Sequence, residues 1–287
     1  MLDASQKKGI LSLVVCACLW STGGLFIKLI SWHPMVIGCF RSGIAAVILW
    51  IVLCKSGHPR PIVSRQTLLT GLFLGATCAL FVTANKLTTA ANAIVLQSAN
   101  PIFVLLFCAV FKQERITRRN AAVVAIVMGG VALFFLDELS PGGLLGNVLA
   151  LLSAITLACV FLYSCDSTSL HESMSGVLLG HLCSTLIGLP FMLFFPPQLS
   201  WGPVGAILFL GVFQLGIPYT LFAVGTRYCP PLAVSLISML EPIFNPVWVA
   251  LFLHEIPGLA AIAGGVIVIA TLALWCVDNA KRAAAAR

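Results

Sequence analysis

Residues 101–114 read PIFVLLFCAVFKQE, and residues 242–255 read PIFNPVWVALFLHE. Both begin with PIF, both carry an alanine and a phenylalanine at matching places, and both end in glutamate. In the same register Phe81 and Lys86 fall on Phe222 and Arg227. With a small drift, Pro34 and Arg41 fall near Met174 and His181, and Lys28 falls near Asp166. Apolar composition inflates any such match, but a shared PIF and a shared final glutamate at one register point to an internal repeat.

The repeat sits in a chain of 287 residues that is 60% hydrophobic and 9% charged. Its mean hydropathy is +1.07, whereas an ordinary soluble domain is about 25% charged. A soluble fold cannot hide that much apolar surface, so the class is polytopic membrane protein, with the lipid bilayer as its solvent. Ten segments are long and apolar enough to span: 10–30, 34–53, 67–84, 91–111, 120–136, 144–165, 173–195, 203–224, 232–253 and 257–277. Spans of this length are helices, because lipid offers the backbone no hydrogen-bond partner. Lys7 and Lys8 followed by a long apolar run without an A-x-A site read as a retained first span.

Lysine and arginine set the orientation. With the N-terminus inside, Lys55, Arg60, Arg65, Lys112, Arg115, Arg118, Arg119, Arg227, Lys281, Arg282 and Arg287 all fall on the cytoplasmic side. Of the loop charges, only Lys86 falls outside. The net charge of +7 therefore reflects inside loops, with no nucleic-acid partner implied. The expected location is the inner (plasma) membrane, multi-pass, with both termini cytoplasmic.

Five spans per repeat is an odd number, so the second copy enters the membrane from the opposite face. The expected fold class is an all-α membrane protein of ten transmembrane helices, built as two inverted five-helix repeats, 1–139 and 140–287. Inverted repeats of this kind place substrate near the midplane, where the halves meet.

The chain resembles the drug/metabolite transporter superfamily, EamA-type branch. The resemblance rests on LWSTGGLFIKL at 19–29, the P-x6-R from Pro34 to Arg41, the Pro-to-Glu run ending each half, and YTLFAVGTRY at 219–228 leading into LEPIFNPVWVALFLHE. It implies that the ten helices surround a central cavity, lined mainly by helices one, three, four, six, eight and nine, and that the protein is a carrier of amino acids, other metabolites, nucleotide sugars or drugs. The sequence departs from the commoner pattern where Asn100 precedes the proline and where ACVFLYS at 158–164 lacks a tryptophan, which leaves the substrate open.

Ionisable groups within spans cost a few kcal/mol each and need a reason. They are Lys28, Arg41, Asp166, His181 and Glu241. Lys28 and Asp166 lie near span ends and can snorkel. Arg41 lies about 10 Å deep and Glu241 about 12 Å deep at 1.5 Å per residue. Arg41 either has a structural role, capping carbonyls or pairing across helices, or binds a substrate carboxylate. Glu241 either pairs with Arg41 or His181, or binds a substrate amine or a proton. His181 is either a satisfied buried histidine or a titrating group, and Glu241 and His181 are the coupling candidates. Pro101, Pro242 and Pro246 each strip a donor from the helix and leave a bare carbonyl, which marks them as hinges. The expected substrate lining is Trp20, Ser21, Thr22, Arg41, Gln97, Asn100, Gln214, Tyr219, Glu241, Asn245 and Trp248, any of which also suits helix–helix contact. Trp32, Trp50, Trp201 and Trp275 read as an interfacial belt.

No zinc, P-loop or nucleophile–base pattern is present, and the eleven cysteines show no C-x-x-C pair and read as small buried hydrophobes. Neither a metal, a cofactor nor an enzyme is expected. The expected function is a secondary transporter, exporting small organic metabolites such as amino acids by alternating access. A multidrug or organic-cation exporter is the alternative, and a non-transporting receptor or enzyme is a remote one. The expected partner is a small-molecule substrate, with the protein either a monomer or a homodimer.

Overall fold

The computed structural model describes residues 4–23, 26–27, 30–134, 143–244 and 259–285. Lys28, Asn245, Pro246 and Trp248 lie outside the described residues. Among the described residues all regular structure is helical: α1 (Ala4–Trp20), α2 (Pro34–Lys55), α3 (Arg65–Leu87), α4 (Ala90–Gln97), α5 (Asn100–Phe111), α6 (Arg118–Phe134), α7 (Leu144–Cys165), α8 (Leu170–Phe194), α9 (Trp201–Phe209), a π-helical segment (Leu210–Gly216), α10 (Ile217–Thr226), α11 (Pro231–Ser238) and α12 (Leu259–Ala285). Among the described residues six helices are long and apolar enough to cross a membrane: Pro34–Lys55, Arg65–Leu87, Asn92–Phe111, Leu144–Cys165, Leu170–Phe194 and Trp201–Thr226. Pro231–Phe244 and Ile262–Asp278 are shorter apolar helices.

Local chemistry sets the helix ends. Ser64 and Thr67 form a capping box at the start of α3, and the Ser169 hydroxyl accepts from the Glu172 amide at the start of α8. The fourth apolar run breaks at Ser98–Ala99, just ahead of Pro101, and the run after Pro231 breaks at Met239, just ahead of Pro242. The first helix is interrupted at Ser21–Thr22, both modest helix formers, and Gly23, Phe26 and Ile27 are helical again. Inside Trp201–Thr226, Pro218 has no N–H for the carbonyl of Gln214. The chain accommodates this one turn earlier, where the Ile217 amide bonds the Val212 carbonyl, five residues back.

Much of the outer surface is apolar, and polar side chains within the spans are turned inward into a mostly apolar core, as lipid favours. Leu193 is 84% and Trp201 94% exposed, whereas Arg41, Asn100 and Gln214 are buried. Trp50 and Trp201 suit the expected belt, but Trp32 and Trp275 are buried. Each of the latter is drawn inward by a polar anchor, Gln198 O for Trp32 and Asn120 Oδ1 for Trp275. All eleven cysteines are free thiols. Asp166, expected to snorkel, pairs with Lys112 at 2.5 Å.

The most extensive packing joins α3 to α7 and α8, α2 to α8, α6 to α12, and α1 to α10. Each of these pairs links a helix before residue 140 to one after it. The α3–α8 crossing is close because Gly71 and Gly75 on one helix meet Gly176 and Gly180 on the other.

His33 caps α2: its Nδ1 accepts from the Met35 amide at 3.3 Å, while its ring stacks on Phe191 and Phe195. Burial holds its pKa below the ordinary histidine value. The neutral ring is thus favoured by folding, so its contribution is complete above about pH 6.5 and is lost as pH falls through the lowered value. Acidification should cost the wild type about 1 kcal/mol from this cap, and His33→Asn, which keeps an acceptor, should flatten that loss in thermal unfolding followed against pH.

Candidate functional site

A narrow cavity of about 40 Å³ opens where the helices of the two halves meet. Trp20 from α1 and Arg41 from α2 form one wall, with Gln214 and Leu215 from the π-helical segment and Tyr219 from α10 beside them. Thr77, Cys78 and Phe81 from α3, Gln97 from α4 and Leu157 from α7 complete it, together with Glu241 from the helix that continues α11. Six of the expected lining residues therefore come together here: Trp20, Arg41, Gln97, Gln214, Tyr219 and Glu241.

Arg41 is 2% exposed, among the largest fully buried side chains of the protein. Its NH1 donates to Gln214 Oε1 at 3.3 Å, and its Nε has no hydrogen-bond partner among the described residues. No described carboxylate comes within 4.0 Å of it, so the ion pair with Glu241 weighed above does not form in this structure. Trp20 Nε1 is likewise buried without a partner among the described residues. The Trp20 ring packs on Tyr219 at 5.0 Å between centroids. Glu241 is half-buried on the same cavity. The site thus holds a cation and an acid on helices from different halves, an aromatic wall, and N–H donors awaiting an acceptor. In so apolar a setting, unanswered donors beside a cation favour an anionic group.

Other expected residues face elsewhere. Ser21 Oγ donates to Cys18 O at 2.6 Å and Thr22 Oγ1 to Leu19 O at 2.8 Å, both back onto their own helix. Asn100 donates to Gln97 O and accepts from Ser235 Oγ at 2.5 Å, so it ties α5 to α11 rather than facing the cavity. His181 is fully buried behind the wall, edge-on to Tyr219 at 4.6 Å, and neither ring nitrogen has a partner among the described residues. Pro101 and Pro242 lie in the helices at the two breaks, buried.

Thr77, Cys78, Phe81, Leu157 and Leu215 were not expected on the lining. Leu74, Thr77, Cys78 and Phe81 follow the i, i+3, i+4, i+7 rule of one helix face, a pattern readable in the sequence once Thr77 is seen as the polar member of an apolar run. Thr77 Oγ1 itself donates to Phe73 O at 2.7 Å and meets Thr156 Oγ1 at 2.7 Å.

A pseudopaline exporter of Pseudomonas aeruginosa is 29% identical over 245 residues, covering 82% of this chain and 84% of that protein. A protein of Archaeoglobus fulgidus described as an uncharacterized transporter is 24% identical over 278 residues, covering 94% of this chain and 97% of its own. A solved crystal structure at 16% identity superposes with a TM-score of 0.80 over 96% of this chain and 98% of that one, a likeness of fold. The sequence profile of the EamA-like transporter family matches residues 7–136 and again 144–276. The chain is a multi-pass membrane protein and belongs to the EamA-like transporter family.

Proposed function

We propose that this protein is a secondary transporter that exports small organic metabolites such as amino acids by alternating access. The observation that carries the reading is the single cavity that places Arg41 and Glu241 on one aromatic-walled space. A zwitterion meets a complementary charge at each end there. The named pseudopaline exporter among its relatives supports the outward direction.

The architecture behind this reading is ten membrane-spanning helices in two inverted repeats, residues 1–139 and 140–287, with the basic loops and both termini cytoplasmic in the inner membrane. The twofold family match supports it. So does the helix packing. Exchanging each helix for its counterpart five spans later turns the α1–α10 contact into α7–α3, α3–α8 into the π-helical segment on α2, and α5–α7 into α11–α1. The α2–α8, α6–α12 and α5–α11 contacts map onto themselves. All of these contacts occur, which is what a pseudo-two-fold axis produces. The helix breaks ahead of Pro101 and Pro242 are the matching hinges of such an exchange.

Proteoliposomes are expected to take up one amino acid or related metabolite saturably. Movement of hydrophobic cations, with a broad metabolite panel giving nothing, would favour the multidrug reading instead. Glu241 is the proton-coupling group on this account, with His181 the second candidate. Glu241→Gln should then transport with a flat pH profile. A mutant that keeps the full wild-type pH dependence removes Glu241 from that role and leaves His181→Gln as the next variant to measure.

A further inference from the structure

We infer that Gln214 is a specificity-determining residue: its amide occupies Arg41 in the empty carrier, and a substrate carboxylate displaces it. The inference rests on the cavity being the substrate site, and it names the group that site selects.

Three observations carry it. First, Gln214 supplies the oxygen that Arg41 bonds, with the Cys78 thiol as its other polar contact, and the bond is long, 3.3 Å to a neutral oxygen. A carboxylate makes a shorter, charge-assisted bond roughly twice as strong, and can accept from two guanidinium nitrogens at once. The orphaned Nε of Arg41 and Nε1 of Trp20 are two further donors that the amide leaves unanswered.

Second, Gln214 rides on the π-helical segment Leu210–Gly216. A π turn carries one residue more than an α turn of the same span, so relaxing it rotates the residues it holds. The segment lies against the face of α2 that bears Arg41. A Cβ on Gly211 would come within 2.5 Å of Ile44, and one on Gly216 within 2.6 Å of Ile48, which are i+3 and i+7 from Arg41. The backbone is therefore seated close enough for a short amide to reach the guanidinium.

Third, the far side of the amide is fitted as well. A Cβ on Gly23 would stand 2.7 Å from Gln214 Nε2. The amide lies between a glycine that leaves it room and an arginine that it serves weakly. It is placed to be exchanged rather than to lock.

The test uses the purified full-length protein in detergent, with acetate as the probe and chloride at matched ionic strength as the control. Thermal unfolding should shift upward and saturate with acetate in the wild type. Gln214→Glu places a fixed carboxylate on Arg41, so its unliganded unfolding temperature should rise and the acetate shift should vanish. Gln214→Leu removes the competitor, so the unliganded protein should melt lower and respond to roughly tenfold less acetate, the equivalent of one hydrogen bond no longer displaced. Arg41→Gln should not respond. Gly23→Ala, which nudges the amide without deleting it, should lower the acetate midpoint modestly and guards against misfolding of the other variants. An absent acetate shift in the wild type, or a shift that Gln214→Glu and Arg41→Gln leave intact, overturns the inference. The acetate pattern without metabolite transport in proteoliposomes would overturn the transport reading and leave this site standing. Transport without the acetate pattern would do the reverse.

Discussion

Arg41→Glu is expected to lower transport of carboxylate-bearing substrates by roughly 10²-fold to several thousandfold in kcat/KM, the equivalent of the 3–5 kcal/mol lost when one partner of a buried charge pair is removed. The effect is large because nothing described nearby can replace Arg41. It is buried, and its described polar partners are the neutral Gln214 and the Cys78 thiol. Reversal also sets a second carboxylate on a cavity already lined by Glu241, so the two acids would repel one another across an apolar space. Arg41→Lys separates charge from shape. It keeps the positive charge but not the planar fork, and should retain an intermediate rate with a raised KM. Flux into proteoliposomes, with each variant first shown to be monodisperse, reads the series. The same reversal should spare an exporter of hydrophobic cations, because that cargo needs Glu241 and the aromatic wall but no cation. Unchanged flux of a carboxylate substrate through Arg41→Glu would therefore remove Arg41 from substrate binding.

Much of the site was legible because lipid makes polar groups conspicuous. Arg41, Gln97, Gln214 and Glu241 each stand out in an apolar run, and each lines the cavity. Direction was harder to read than depth. Trp20, Ser21 and Thr22 are consecutive, and successive helical residues point about 100° apart. Trp20 faces the cavity, while the two hydroxyls fold back onto carbonyls of their own helix. Asn100 has the right depth and the wrong partner: Ser235 on α11 takes its oxygen, and no spacing rule relates positions 135 residues apart. The π-helical segment was likewise invisible. Pro218 announces a missing hydrogen bond, but not whether the chain will kink, tighten or widen to absorb it. Only the widened turn, seated on α2, gives Gln214 its reach to Arg41. The helix breaks at Ser98–Ala99 and at Met239 each lie just ahead of a PIF segment, where the proline removes a donor.

Gly180→Leu is expected to prevent the α3–α8 crossing from forming, so that the protein loses its monodisperse folded state. A Cβ at Gly180 would stand 2.6 Å from both Cβ and Cδ2 of Leu74. The first of these is fixed to the α3 backbone and cannot swing aside. On the facing helix, a Cβ at Gly75 would stand 2.7 Å from Cys183 Sγ, and one at Gly71 would stand 3.0 Å from Leu179 Cβ. Two G-x-x-x-G faces therefore interlock, and in lipid such close van der Waals packing holds helices together without a hydrophobic driving force. Even Gly180→Ala overfills the crossing and should lower stability by about 1–3 kcal/mol. Gly176→Ala should cost less, since its nearest neighbour is the Thr70 side chain at 3.1 Å. Gly129→Ala on α6 should have the opposite sign: nothing lies within 4 Å of its Cβ, and alanine favours helix over glycine by about 1 kcal/mol. Thermal unfolding monitored by size-exclusion chromatography orders the four variants. Transport should fall together with stability at position 180, because α3 carries Thr77, Cys78 and Phe81 of the cavity wall, and α8 carries His181, which backs Tyr219, one residue beyond the glycine. A Gly180→Leu protein that folds and transports normally would mean that the two helices can separate without disturbing the site, and that the crossing does not set the cavity's shape.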